Sequence, residues 1–448
     1  MLATKLRSNH QKNYKSNRVP PECGFFIPLI MSFADQYIAK NRGNYFVEDR
    51  SCERADLVVV IPCFDEPDIS ATISSLANCF DPGVSVCIVV VVNSSASSAA
   101  EIKNQNRKTI EEIDFMSGRM PNWLHLFSID VPDLPSKHAG VGWARKIGMD
   151  WAATHFNRFG NSRGVIISLD ADSLVEQNYF AAIFSFFSKE TKMVGTTIYF
   201  EHPVPDHSAG DGIVLYELYM RYYKHALAFA NFPNSIYTVG SCFAVLAGAY
   251  AAQGGMNRKK AGEDFYFLHK LSQFGPIGEI NSTKVTPSSR FSDRVPFGTG
   301  KVLQKFSEGN RDIEKTYPIE LFKVLKAFFV SIDDFYLNSD KLSVDNLSDN
   351  KVFRLFCDEV NLLPELLLLI SNCSSVNVFR KRFFHLFNAF MVLKWLNFAL
   401  QNGFEKKSLL SECRELIYFL GVESIKIPND PKLMLSFFRS MDNECINN

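Results

Sequence analysis

The chain has 448 residues, of which 46% are hydrophobic and 21% are charged. This composition excludes a disordered or collagen-like chain, and the length suffices for a large core without disulfides or a structural metal. Lysine plus arginine and aspartate plus glutamate number 48 each, so the formal net charge is zero. That balance argues against a nucleic-acid-binding protein, which usually has a basic excess.

Three regions follow one another along the chain. Residues 1–54 are polar and weakly periodic and are predicted to form an N-terminal arm. Residues 55–300 alternate between apolar runs typical of strands and stretches with helical spacing. Residues 301–448 show leucine and phenylalanine stripes that predict an all-helical C-terminal domain. In the middle region strands are predicted at 56–64, 84–93, 124–129, 164–169, 193–200 and 236–246, and helices at 69–79, 140–156, 175–187, 211–231 and 262–274. This alternation predicts an α/β fold with a mostly parallel sheet flanked by helices.

The sequence shows no secretory signal and no apolar run near the ~20 residues that a membrane-spanning helix needs. A cytoplasmic protein is therefore expected. Residues 379–400 are basic at their start and aromatic through their middle. We favour a buried bundle helix for this segment, and a helix lying on the inner face of the membrane is the alternative.

An aspartate pair follows the predicted strand at 164–169. Asp170 and Asp172 flank the small residue Ala171, and ligands of open α/β sheets bind beyond the carboxyl ends of the strands. Two such carboxylates suit a hard divalent cation that also contacts substrate phosphates. The alternative is structural, with Asp172 capping the next helix.

A second acidic pair begins the helix at 262–274. Glu263 and Asp264 lie in its first turn, where acids are favoured by the helix dipole whatever their function. A carboxylate in that position can also act as a general base if it faces a cleft.

Other polar residues come after strands or in loops. Pro62 and Glu66 end the first strand, where a nucleotide can dock or the chain can merely turn. Lys137 and Arg145 surround the start of a helix, which predicts a diphosphate site or a solvated basic face. Arg290 and Arg294 lie in one loop, which either closes over phosphates or forms a surface salt-bridge patch.

Six segments in this order resemble the GT-A glycosyltransferases, in particular those of the family 2 type. They are residues 60–66 (VIPCFDE), 91–95 (VVNSS), 140–148 (GVGWARKIG), 170–172 (DAD), 239–245 (VGSCFAV) and 262–265 (GEDF). The resemblance covers residues 56–295 and implies a GT-A, Rossmann-like fold. The Q-x-x-R-W motif of processive members is absent, which favours transfer of a single sugar.

The resemblance also implies a function and a set of site residues. The function is hexosyl transfer from a nucleotide-sugar to an acceptor hydroxyl, with inversion, the acceptor being a glycan, a lipid-linked molecule or a small molecule. Pro62, Glu66 and Asn93 would line the nucleotide pocket. Asp170 and Asp172 would hold Mg²⁺ or Mn²⁺ and the donor diphosphate, which Lys137, Arg145, Arg290 and Arg294 would also contact. Asp264 would be the general base, with Glu263 beside it.

Two other functions stay open at this point. A nucleotidyltransferase can share the sheet and the metal carboxylates, although such enzymes usually have a glycine-rich loop where this chain has Asp65-Glu66-Pro67. A catalytically inactive GT-A domain that serves as a binding module is the second alternative, against which both acidic pairs argue.

Overall fold

The computed structural model describes residues 31–41, 54–136, 139–206, 209–257, 262–291 and 298–444. Its central feature is an eight-stranded sheet of order β3-β2-β1-β4-β7-β6-β8-β5. The strands are β1 Leu57–Cys63, β2 Val86–Ser95, β3 Leu124–Leu134, β4 Val165–Ser168, β5 Leu174–Val175, β6 Gly195–Phe200, β7 Phe243–Leu246 and β8 Ile277–Thr286. A separate pair joins β9 Lys315–Thr316 to β10 Lys407–Ser408.

The sheet is mostly parallel. Strands β1 to β4 pair in parallel, and so do β6 and β8, whereas β7 is antiparallel to both of its neighbours. The short β5 is antiparallel to β8, so six of the eight strands point the same way. Their carboxyl ends therefore meet at one edge, which is where an α/β sheet binds ligands.

The central strands form because their residues are apolar on both faces. Every residue of β1 and β2 is buried, and the two strands pair in register from Leu57 with Val86 to Cys63 with Val92. Runs rich in valine and isoleucine suit a strand that is covered on both sides.

Helices cover this sheet. They are α1 Asp35–Asn41, α2 Ile69–Ala77, α3 Ala100–Ser117, α4 Val141–Arg158, α5 Tyr179–Lys189, α6 Ala209–Phe229, α7 Ala247–Ala252 and α8 Glu263–Phe274. Helix α4 packs closely on β1 and β2 at Gly148, where an added Cβ would lie 2.4 Å from Cγ1 of Val60. A glycine at this position lets the helix backbone approach the sheet.

The chain after Gly298 is helical apart from the two short strands β9 and β10. Its helices are α9 Thr299–Ser307, α10 Ile319–Val330, α11 Ile332–Leu337, α12 Val344–Leu347, α13 Lys351–Glu359, α14 Leu362–Ser371, α15 Val376–Leu386, α16 Ala389–Gln401, α17 Leu409–Phe419 and α18 Pro431–Glu444. They enclose a second, phenylalanine-rich core to which α6 also contributes Leu218, Tyr222 and Ala226. Helix α6 therefore joins the two cores.

The predicted α/β fold with a mostly parallel sheet and a helical C-terminal region is confirmed. Some details differ: α1, α3, α7, β5 and β8 were not predicted, the helix predicted at 175–187 begins at Tyr179, and the strand predicted at 236–246 is confined to β7. The boundaries at residues 54 and 300 stay predictions. Most of the predicted arm lies outside the described residues, and within it Ala34 and Tyr37 pack into the first core.

No single helix among the described residues is long and apolar enough to cross a membrane. Helices α15 and α16 meet the length and composition criteria only as a pair, and they are bent by 57° where they meet. Residues 379–400 are thus two helices, and Phe379, Phe383 and Trp395 are buried in the second core.

Candidate active site

A cleft of about 630 Å³ lies at the carboxyl edge of the sheet. The chain enters it directly after four strands, with Glu66 after β1, Asn93 near the end of β2, Asp170 after β4 and His202 after β6. The cleft thus gathers segments far apart in sequence, including the first turn of α8 and the loop after β8.

Asp170 and Asp172 lie in a turn that lines this cleft. The Thr72 hydroxyl stabilises the turn by donating a hydrogen bond to the carbonyl oxygen of Ala171 at 2.9 Å. Helix α5 begins only at Tyr179 and follows the strand β5. The alternative that Asp172 caps this helix is therefore wrong.

Arg145 links Asp170 to the first turn of α8. It lies in α4 and is 1% exposed, and its Nη2 donates to Oδ1 of Asp170 at 2.6 Å while Nη1 pairs with Glu263. Gly240 makes room for it, since a Cβ there would lie 2.8 Å from Nη2. The sequence predicts Arg145 as a diphosphate contact, and in the structure Arg145 lines the cleft with its guanidinium between two carboxylates.

Arg290 holds a second pair of carboxylates together. Its Nη1 donates to Oε1 of Glu66 at 2.9 Å, Nη2 also pairs with Glu66, and Nη2 lies 3.1 Å from Oδ2 of Asp172. Glu66 is 1% exposed, and the guanidinium compensates the charge of this buried carboxylate.

Glu263 and Asp264 begin α8 but differ in their surroundings. Glu263 is buried and paired with Arg145. Asp264 forms no ion pair with any described residue, and its Oδ1 accepts a hydrogen bond from the amide of Phe265 at 2.7 Å. Burial raises the pKa of Asp264 and the charge of Asp170 adds to the rise, while Arg145 opposes it, so the pKa lies above its ordinary value.

Neutral polar groups line the cleft beside β2. Asn93 is 2% exposed and lines this part of the cleft. The hydroxyls of Ser95 and Ser97 each lie 2.8 Å from that of Ser136. The sequence motif at 91–95 includes Ser95, but it gives no sign of Ser136, which only tertiary structure brings next to β2.

The structure thus brings together Pro62, Glu66, Asn93, Arg145, Asp170, Asp172, Glu263, Asp264 and Arg290. Lys137 and Arg294 lie outside the described residues. Tyr216 of α6 also lines the cleft. The other tyrosines of that helix, Tyr219, Tyr222 and Tyr223, pack in or against the second core.

The described lining residues include five carboxylates and two guanidinium groups, a formal balance of three negative charges. No group of three or more His, Cys, Asp or Glu side chains suited to a metal occurs among the described residues. Mg²⁺ is, however, commonly bound through one or two carboxylates plus substrate phosphates. The pair Asp170 and Asp172 fits that donor set.

No protein family model matches the chain, and no curated protein matches it in sequence. Among solved structures, it is similar to S. aureus TarS 1–349 in complex with UDP-GlcNAc, at 13% identity and a TM-score of 0.38 over 72% of this chain and 89% of that one. It is also similar to the mannosyltransferase PcManGT from Pyrobaculum calidifontis in complex with GDP-Man and Mn²⁺. There the identity is 9% and the TM-score 0.34, over 93% of each chain. At such low similarity the function has to be inferred from the side chains of the cleft itself.

Proposed function

We propose that the chain is a metal-dependent glycosyltransferase that moves a single hexosyl group from a nucleotide-sugar to an acceptor hydroxyl, with inversion. The proposal rests on one observation: four of the five cleft carboxylates pair with an arginine, and the fifth does not. Arg145 and Arg290 pair with Asp170, Glu263, Glu66 and Asp172, and Asp264 is the one left without an ion pair among the described residues.

Asp264 is therefore the carboxylate best suited to take a proton. An arginine partner stabilises the ionised form and makes a carboxylate a weaker base, whereas burial makes Asp264 a stronger one. A base positioned at the acceptor hydroxyl contributes on the order of 10²- to 10⁴-fold. We assign proton transfer to Asp264 and assign to Glu263 the positioning of Arg145.

The negative charge of the cleft supports a cation-dependent donor site. A donor diphosphate would meet an excess of carboxylates, so its binding requires added positive charge. Asp170 and Asp172 would hold Mg²⁺ or Mn²⁺ at this place. When bound, the metal supplies Lewis-acid stabilisation of the negative charge that develops on the leaving diphosphate.

The nucleoside would occupy the neutral end of the cleft beside Pro62 and β2. The Asn93 amide offers one donor and one acceptor group, and the hydroxyls of Ser95, Ser97 and Ser136 can rotate to donate or accept. The acceptor class and a location in the cytoplasm, with or without contact at the inner membrane face, are likewise proposals that derive from the sequence.

The test combines nucleotide binding with sugar transfer. Thermal unfolding is measured with UDP-, GDP- and CMP-sugars, with and without Mn²⁺, because a ligand at a hundredfold excess over its Kd stabilises the native state by about 2.7 kcal/mol. We expect one nucleotide class to bind only with metal. Asp172→Asn should abolish that binding, while Asp264→Asn should retain it and lose transfer to an acceptor.

Asp333→Asn serves as the matched control, because Asp333 pairs with Arg380 on the exposed surface away from the cleft. This variant should match wild type in both assays. Metal-independent binding that Asp172→Asn leaves intact, or transfer by Asp264→Asn within tenfold of wild type, would contradict the proposal. Release of pyrophosphate in place of a nucleoside diphosphate would indicate a nucleotidyltransferase.

A further inference from the structure

The two aspartates of the D-x-D turn each contact a guanidinium, and the two arginines differ in their surroundings. Arg145, which contacts Asp170, has a side chain only 2% exposed and lies within α4. Arg290, which contacts Asp172, has a side chain 34% exposed and lies in the loop that follows β8. Arg145 is therefore enclosed by the protein, whereas Arg290 is partly open to solvent.

Contacts with Glu66 also hold Arg290 close to Asp172. Two of its guanidinium nitrogens donate to the carboxylate of Glu66. Glu66 is buried at the end of β1, and its Oε1 additionally accepts a hydrogen bond from the amide of Asp68 at 3.1 Å. The pair with Glu66 thus anchors Arg290, and the 3.1 Å contact with Asp172 is a single additional contact through Nη2.

A divalent cation at Asp172 would lie next to this guanidinium. Like charges a few ångströms apart in a partly buried cleft repel strongly, because the effective dielectric constant there is far below that of water. Arg145 cannot withdraw, since it is buried and holds Glu263 as well. Arg290 can give up Asp172 and still keep its contacts with Glu66.

We infer that Arg290 is a resident cation at Asp172 and that a divalent metal has to displace it from this carboxylate. The inference rests on the proposed function in naming the metal. It has two consequences for this chain: Arg290 weakens metal binding to the donor-free protein, and a donor diphosphate, as a new partner for the displaced guanidinium, strengthens metal binding. Arg290 would thus make metal and nucleotide bind cooperatively.

The experiment measures Mn²⁺ affinity of the full chain without nucleotide, from the electron paramagnetic resonance signal of free Mn²⁺. Arg290→Gln removes the charge and keeps a side chain that can donate to Glu66. It should bind Mn²⁺ about tenfold more tightly than wild type, a change comparable to one charge-assisted hydrogen bond. Arg290→Lys, which keeps the charge, should stay close to wild type, and so should the surface control Arg380→Gln.

A double variant controls for two effects that Arg290→Gln has through Glu66. Arg290→Gln leaves Glu66 buried without its guanidinium, which destabilises the fold or provides an extra metal ligand. The double variant Glu66→Gln/Arg290→Gln removes both charges and should still bind Mn²⁺ more tightly than wild type. Equal or weaker Mn²⁺ binding in both variants would overturn the inference.

Nucleotide binding on the same proteins separates this inference from the proposed function. If wild type binds a nucleotide only with Mn²⁺ and both variants match its Mn²⁺ affinity, the inference on Arg290 is wrong and the proposed function stands. If no protein binds either Mn²⁺ or a nucleotide, both are wrong.

Discussion

A large buried ionic network joins α6 to α18, and we expect its disruption to lower the stability of the fold strongly. Asp442 of α18 is at its centre. One carboxylate oxygen, Oδ2, accepts hydrogen bonds from Arg221 and from the Tyr237 hydroxyl at 2.7 Å, and the other, Oδ1, lies 3.2 Å from Nζ of Lys224 and 3.0 Å from Nε2 of His225. Each oxygen thus serves two groups.

Asp442→Asn keeps the shape of the side chain and replaces one carboxylate oxygen with an amide NH₂ group. Whichever way the amide is placed, its NH₂ group faces two of these partners, and the negative charge is lost. Hydrogen bonds to charged groups contribute about 1.5–3 kcal/mol each, and removing one partner of a buried pair costs about 3–5 kcal/mol. Because Arg221 keeps Glu217 as a second partner, we expect a loss of about 3 kcal/mol in the free energy of unfolding.

Urea denaturation of wild type, Asp442→Asn and the surface control Asp333→Asn measures this loss at pH 7. The control should have an unchanged midpoint, because exposed ion pairs often contribute nothing measurable. A loss below about 1 kcal/mol in Asp442→Asn would refute the reasoning, since it would mean that a buried carboxylate with four partners is worth no more than a surface pair.

The same network predicts a dependence of stability on pH. The pKa values of Asp442 and Glu217 are held well below their ordinary values, because bonds and charges from His225 and Lys224, and from His202 and Arg439, outweigh burial. A lowered folded-state pKa gives stability that is present above the unfolded pKa of about 4 and is lost as the pH falls below it. Stability should therefore decline below about pH 4 in wild type, and more gently in Asp442→Asn.

Two further predictions concern the packing around helix α8. Gly240→Ala should lower kcat/KM for sugar transfer by about 10- to 100-fold, because the added Cβ would displace the guanidinium of Arg145. Gly118→Ala is the control, because its Cβ would meet nothing within 4 Å. This variant should match wild type in the same assay. Phe390→Ala should lower the free energy of unfolding by about 2 kcal/mol in urea denaturation, because the Phe390 ring of α16 contacts that of Phe265, next to Asp264, at 5.1 Å. An unchanged unfolding curve would show that α16 does not support α8.

The elements that the sequence predicts well are those with a strong local pattern. Strands β1, β2 and β4 are uninterrupted apolar runs, and polar residues mark the ends at which the cleft forms. Helix α3 has no strong apolar pattern, because only Asn106, Thr109 and Ile113 of its 18 residues are buried. Strand β8 is similar, since just three of its ten residues are buried, one of which is a threonine.

The direction of a strand and the partners of a charged group depend on contacts between distant parts of the chain. Strand β7 runs against β4 and β6 although nothing in the sequence FAVL indicates a direction. Asp442 meets Arg221 across 221 positions, and Arg290 meets Glu66 across 224. A sequence pattern of a few residues contains no information about such pairs.

Pairing is also what distinguishes the acids of the cleft from one another. Sequence motifs single out Glu66, Asp170, Asp172, Glu263 and Asp264 alike, and by residue type any of them could bind a cation or take a proton. The two arginines remove this equivalence, because each pairs with two acids and favours their ionised forms. Asp264 keeps a raised pKa within the same cleft. In the proposed function, the assignment of proton transfer to Asp264 therefore depends on where Arg145 and Arg290 lie.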